Sequence, residues 1–455
     1  MSANLPAEMN LASNRPMSAQ GIPNISRFRA DNSTYSSVAN STDVIRIEIP
    51  TGRAGSMLFP RDSFLEGKLT VTGQDVTAAM SYYLDQSAYS LFSRMRIYHG
   101  STIIEDYLNF GRVITSVYDL QVNEVARRGD GILKLINDTT SAVDLCPIFN
   151  DGCSGAKVLT TGNANIITVG SVLDFSLVLP SGILGSLATK VTPLSLMGAA
   201  SLYIELEISP SFVAFVTNSA TTTSLSHTIS DIYYNAKMVQ LPADVHSLVV
   251  EACGGFVNLP AVSFKSEMKT ISTGSSAFND KWSFQFSSIK NFNFFFMNTN
   301  TAAGGITKRS ISARPKCNLN DYFLLLNGNA YPSQAIANQS RMYAETLRAW
   351  GQLTNTVAGG ILTYQNYNYN THTPADDVIP ANIAVTKQKR FVAAIDMDKF
   401  SHVSDTLMSG TSSIGQMVTL NLNFSTPTTD SLNLYAFVQY DVLYHLENGL
   451  LSPKW

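Results

Sequence analysis

The sequence predicts an all-β chain of two like-folded units in tandem, with a few short helices and long loops, and three observations carry that reading. The first is an internal repeat. The stretch Met95 to Ile104, turning at His99-Gly100, has a counterpart in Tyr322 to Tyr331, turning at Asn327-Gly328, and the two glycines are 228 residues apart (328 minus 100). Helical spacing follows each turn, with Phe110, Ile114 and Val117 in the first copy and Tyr343, Leu347 and Trp350 in the second. The second observation is an echo between Leu202–Ile208 and Leu434–Tyr440, offset by 232 (434 minus 202). The third is composition: 14% of residues are charged and 45% hydrophobic, with Ser, Thr and Asn making up much of the balance. That suits many short strands joined by polar turns.

Residues 1–42 are rich in Ser, Asn, Ala and Pro and lack periodicity, so they are expected to form a flexible arm that frays or exchanges with neighbouring subunits. Its Arg15, Arg27 and Arg29 are offset by Glu8 and Asp31, unlike a nucleic-acid tail. The first unit is expected over 43–243. Val44–Ile49 alternates strictly and stops at Pro50-Thr51-Gly52. Phe64–Thr72 supplies another strand, Leu91–Tyr98 begins a hairpin, and a helix is expected over 106–125. Residues 126–165 carry five glycines and read as long loop. Val172–Leu179 reads as a strand, Ile183–Lys190 as a short helix, and Leu202–Ile208 and His227–Gln240 as strands.

Gly254-Gly255 and a short polar stretch place the junction near Pro242–Gly255, so the second unit is expected over 244–455. It opens with Phe264–Ile271, Trp282–Phe286 and Asn291–Asn298. In the last of these Phe292, Phe294 and Phe296 share one strand face, and Asn293 and Phe295 the other. A helix over Gln334–Trp350 is followed by Gly351 at the C-cap, and Gly359-Gly360 through Pro374 forms a second long loop. Strands near Lys389–Ile395, Val418–Phe424 and Leu434–Leu446 finish the chain. About eight strands per unit is the count of a jelly roll, so the fold class is two tandem eight-stranded jelly rolls. Periodicity alone does not separate this from another eight-stranded sandwich or barrel.

A net charge of −3 excludes a global basic field for nucleic acid or anionic membrane. Cys146, Cys153, Cys253 and Cys317 are too few for a disulfide scaffold and lack CxxC spacing. They read as thiols in a reducing compartment, with a loop bridge between Cys146 and Cys153 left open. The amino terminus has neither the charged nor the apolar region of a signal peptide, so secretion by that route is not expected. No apolar stretch reads as a bilayer span, and the Asn-x-Ser/Thr matches then read as compositional chance.

Arg128-Gly129-Asp130 spells an integrin-recognition tripeptide in an expected loop, the one receptor-binding candidate, although three-residue matches arise often by chance. Asp396-Met397-Asp398 and Asp376-Asp377 lack the oxygen run of a calcium loop. The six histidines, His99, His227, His246, His372, His402 and His445, stand singly, so no metal site is expected. Gly152-Cys153-Ser154-Gly155 matches no nucleophile motif, and no phosphate-cradling glycine loop occurs. No enzyme and no cofactor are expected. Tyr364, Tyr367 and Tyr369 could stack on bases or sugars, but a tyrosine-rich surface at a subunit contact is the simpler reading.

Leu177-Val178-Leu179-Pro180-Ser181-Gly182-Ile183-Leu184-Gly185 followed by Leu202-Tyr203-Ile204-Glu205-Leu206 resembles the hexon-like double jelly-roll major capsid proteins of polinton- and adintovirus-like elements, within the lineage of tailless phages, adenovirus and large DNA viruses. Val44–Pro50 with Gly52-Arg53, Thr228–Ile232 through Leu241-Pro242, and Tyr435–Gly449 are similar too, so the resemblance covers most of 43–449. It implies a homotrimer forming a pseudo-hexameric capsomer in the icosahedral shell of a virion. Neighbouring capsomers, penton and minor or cement proteins would be its partners, and double-stranded DNA would be touched only indirectly. The alternatives are a carbohydrate- or receptor-binding β-sandwich, such as a viral spike or adhesin, and an enzyme on a jelly-roll scaffold.

Overall fold

A computed structural model of the chain describes residues 22–38, 41–72, 82–84, 87–121, 158–160, 163–166, 172–217, 226–299, 313–353, 362, 364–368, 389–399 and 408–455. The first unit contains β1 (Ile22–Arg29), β2 (Val44–Ile49), β3 (Ser56–Thr72), β4 (Phe92–His99), β5 (Thr102–Leu108), helix α1 (Phe110–Gln121), β6 (Val172–Leu177), β7 (Leu202–Ile208) and β8 (Ser226–Gln240). Helix α2 (Ala243–Cys253) leads into the second. There follow β9 (Phe256–Ile271), β10 (Ala277–Trp282), β11 (Ile289–Asn298), β12 (Leu319–Leu326), β13 (Asn329–Ala337), helix α3 (Gln339–Ala349), β14 (Ala393–Asp396), β15 (Val418–Phe424) and β16 (Leu432–Glu447). A last strand, β17 (Leu450–Lys454), folds back on β16.

The pairing settles what periodicity left open. Sheets β1-β8-β3-β6 and β2-β7-β4-β5 make the first unit, and β9-β16-β11-β14 and β10-β15-β12-β13 the second. Counting strands within each unit, both give the order first-eighth-third-sixth and second-seventh-fourth-fifth, with antiparallel ladders between them. Two sheets joined this way are a jelly roll, and the chain holds two.

The alternation read in the sequence is the packing that forms these sheets. Ile45, Ile47 and Ile49 of β2 face inward, as do Leu202, Ile204, Leu206 and Ile208 of β7. β11 is buried on both faces: Phe292, Phe294 and Phe296 meet the rings of Trp282, Tyr322 and Phe391, while Phe295 stacks on Tyr435. In the β12–β13 hairpin Asn327 and Gly328 have φ 51° and 85°, the pair of positive values that a tight two-residue turn needs.

The hairpin-and-helix repeat is real: β4, β5 and α1 occupy the same places in the first unit as β12, β13 and α3 in the second. The echo between Leu202–Ile208 and Leu434–Tyr440 is not. β7 is a seventh strand and β16 an eighth, so the counterpart of β7 is β15. An alternating pattern records burial and not a place in a sheet.

Other expectations are corrected. The arm expected over 1–42 contains β1 and the strand Thr34–Val38, which together cover one edge of β8. The helix expected from 106 begins at Phe110, because 106–108 complete β5. The helix expected from 334 begins at Gln339, capped by the Asn338 side chain accepting from the Ser340 N–H at 2.9 Å. The expected polar junction is helix α2, whose Val245 and Val249 pack on Met57, Val191 and Leu241. No helix forms over 183–190. One continuous apolar cluster runs through both units.

Candidate functional site

The chemistry-bearing residues gather at the seam between the two jelly rolls. Instead of a short helix, the passage after β6 is an irregular turn wedged into that seam. Ser181 Oγ accepts the N–H groups of Ile183 and Leu184 at 3.1 and 2.9 Å and holds the turn. A Cβ on Gly182 would lie 2.6 Å from the Ala261 Cβ and 2.8 Å from the Tyr444 ring, so only glycine lets the second unit approach this closely. Gly185 is equally constrained, since a Cβ there would lie 1.7 Å from the Leu179 carbonyl oxygen.

Beneath this turn lies Glu105, on the inward face of β5. Its Oε1 accepts from the Gly182 N–H at 2.8 Å and the Tyr444 hydroxyl at 2.5 Å, joining both units through one carboxyl group. Burial pushes its pKa up, against the donors Tyr444, Ser181 and Gly182. Tyr107 bonds Ser263 at 2.9 Å, and Ser266 donates to the Leu108 carbonyl. At the hairpin end the Leu451 N–H donates to His99 Nδ1 at 3.2 Å, and Gly198 donates to the Gly449 carbonyl at 2.7 Å. His99 is held below its usual pKa by burial, consistent with a neutral acceptor.

Helix α1 forms the second half of the seam. Asp119 is bonded by both Arg314 and Arg390, with side chains 1%, 0% and 0% exposed. The arginines stand on the short parallel strands Ala313–Arg314 and Lys389–Arg390, so one carboxylate of the first unit holds together two segments of the second. Arg314 also lies 5.5 Å from the Phe295 ring centroid, and Arg112 bonds the Tyr435 hydroxyl.

The outward faces differ between units. On the first, Arg94 grips Asp106 through two bonds of 2.7 and 3.0 Å, and Arg96 reaches Glu205 and Glu207 at 2.5 and 2.6 Å. Lys265 of the second unit joins Asp106 at 3.5 Å. On the second, Asn279, Asn421 and Phe323 lie in one row, with Asn423 and Asp321 on one side of it and Lys281 and Thr419 on the other, so the face carries fewer charges.

Residues singled out from the sequence do not converge. Arg128, Gly129 and Asp130 lie outside the described residues, as do Cys146, Cys153, Asp376, Asp377, His372, His402 and Tyr369. Asp396 is within 3.6 Å of Arg348, and Asp398 within 3.7 Å of Lys290, while Met397 between them is buried. Among the described residues no group of three or more His, Cys, Asp or Glu could hold a metal. His227 bonds Ser211 at 3.0 Å in the core of the first unit, where burial pushes its pKa down to about 4. Tyr367 corrects the expectation of a tyrosine surface: it is fully buried, packed on Tyr343 and Phe391. Tyr364 lies at the surface. Sequence reasoning missed Glu105, Asp119, Arg314 and Arg390; the one signal was a lone acid beside the apolar stripe of α1.

No family model matches this sequence, and no curated protein does. Solved structures do. A chain of the Sputnik virophage superposes with TM-score 0.56 at 11% identity, covering 100% of this chain and 93% of that one. A chain of the PBCV-1 virus capsid gives 0.57 at 11%, covering 97% and 99%. The mavirus major capsid protein gives 0.51 at 10%, covering 100% and 95%. At such identities the likeness is one of fold, and it runs the length of both units: the chain is a double jelly roll, the architecture it shares with these viral capsid chains.

Proposed function

We propose that this chain is the major capsid subunit of a double-stranded DNA virus or virus-like element, three copies forming a pseudo-hexameric capsomer that tiles an icosahedral shell. The observation that carries the reading is the continuous, packed joint between the two units. One continuous core and a seam of buried polar contacts fix two like units relative to each other. Three copies of such a pair present six similar units around a threefold axis, which lets one gene product fill a near-hexagonal lattice. The full-length likeness to the mavirus major capsid protein supports the same reading.

Partners in this reading are further copies of the chain, with penton and minor or cement proteins at the shell's other positions. A net charge of −3 fits a wall that touches the genome indirectly. The test is the mass of the purified full chain by light scattering, followed by electron microscopy of the same sample. A trimer of pseudo-hexagonal outline, or closed shells, is expected. A monodisperse monomer would overturn the reading in favour of a carbohydrate- or receptor-binding sandwich.

A further inference from the structure

The seam holds a carboxyl group in an unusual setting. Glu105 accepts two hydrogen bonds at Oε1, while its Oε2 is buried with no hydrogen-bond partner among the described residues. An ionised carboxylate there would bury a negative charge with one of its two oxygens making no hydrogen bond, against the partial compensation of the Tyr444, Ser181 and Gly182 donors. The groups facing it supply no positive charge. From β5 comes Tyr107, from the wedge Ser181 and Gly182, and from β16 Tyr440 and Tyr444. β9 contributes Ser263, bonded to Tyr107. Asp106 pairs with both Arg94 and Lys265 among the part-exposed charges outside. His99, at the far end of the hairpin, accepts the Leu451 N–H and so is neutral there.

We propose that Glu105 carries a proton in the closed protein and that losing this proton to solvent loosens the seam between the two jelly rolls, making the junction a proton-operated latch. Oε2–H is then the neutral end of the acid, and Oε1 remains the acceptor that joins Gly182 to Tyr444. The direction of the titration follows from burial, which raises the folded pKa above the unfolded one. The stabilisation is fully present below the unfolded carboxyl range and is lost as pH rises through the folded value. The latch therefore holds in acid and weakens toward alkaline pH. This goes beyond the capsid reading and does not depend on assembly, because it is a property of one chain.

The test compares wild type with Glu105→Gln, whose amide copies the shape of the protonated acid. Melting temperature is followed from weakly acidic to alkaline pH, with hydrogen exchange at 182–184 and 444–446. Wild type is expected to lose melting temperature and, once the base-catalysed rise in intrinsic exchange is divided out, protection at both segments as pH rises, while the glutamine variant loses less of both and matches wild type in acid. Tyr444→Phe removes a donor that favours the ionised form, so its loss should extend to higher pH before levelling off. Infrared spectroscopy gives a readout independent of variant folding: wild type should show a buried carboxylic-acid carbonyl band that disappears with alkaline titration. Absence of that band at all pH values, or the same alkaline slope in the glutamine variant, would overturn the proposal.

Discussion

Single side chains decide both the core and the joint. Phe294 is fully buried, 5.1 Å from the Tyr322 ring and 5.8 Å from that of Phe296. Phe294→Asp should cost about 4 kcal/mol or more, since it removes packing and places a charge where nothing pairs it. Loss of soluble protein, or a urea midpoint far below wild type, is the expected result; a normal midpoint would show the site tolerates the carboxylate. Asp119 is the other extreme, a charge that belongs inside. Asp119→Ala leaves Arg314 and Arg390 without the carboxylate they share, and should destabilise by about 3 to 5 kcal/mol in guanidinium unfolding. The phenylalanine was legible, because a run of aromatics at strand spacing has one explanation. The acid was not, because its partners lie 195 and 271 residues away in sequence.

At the scale of elements, strands were readable where burial imposed alternation and invisible where it did not. β1 presents Ile25 at 77% exposure, with Arg27 and Arg29 also exposed. Its ladder to β8 runs from Ile22 opposite Gln240 to Arg29 opposite Tyr233, and Arg27 lies 4.1 Å from the centre of the Tyr233 ring. Backbone pairing makes it a strand, with Phe28 its one described apolar side chain packed on the core, so composition alone read it as an arm. Deleting residues 1–33 should therefore bare the edge of β8 over Tyr233–Gln240, at about 1 kcal/mol per hydrogen bond lost, and open that stretch to aggregation. Soluble yield and melting temperature check this, and an unchanged melt would mean the edge needs no cover. The wedge after β6 failed for a related reason. Its apolar residues are spaced as in a helix, but the close approach at Gly182 is to Ala261 and Tyr444, far along the chain, while Gly185 closes the turn against the Leu179 carbonyl.

For the whole molecule the continuous core has a thermodynamic consequence. Two units sharing one apolar cluster and a polar seam should unfold together, giving a single calorimetric transition. Gly182→Ala forces a Cβ against Ala261 and Tyr444, and should cost about 1 to 3 kcal/mol concentrated at the seam. Its expected signature is a transition that broadens or splits into two while each unit keeps its strands by circular dichroism. A single sharp transition, unshifted from wild type, would show that the units are coupled elsewhere. A joint that holds the two units together is what the capsid reading needs, because a tile that flexed at its middle would not hold a lattice.

The sequence by itself determined the class of this protein: β-rich, duplicated, weakly charged, with the hairpin-and-helix repeat in register and the principal core strands in place. Those features are local, set by alternation, turn residues and composition within a few neighbouring positions. Tertiary structure alone decided the strand order that makes each unit a jelly roll, the recruitment of β1, the true counterpart of β7 in the second unit, and the seam built on Glu105, Asp119 and Gly182. Each of these depends on contacts between residues far apart in the chain, and a pattern of period two carries no information about which strand it will lie beside.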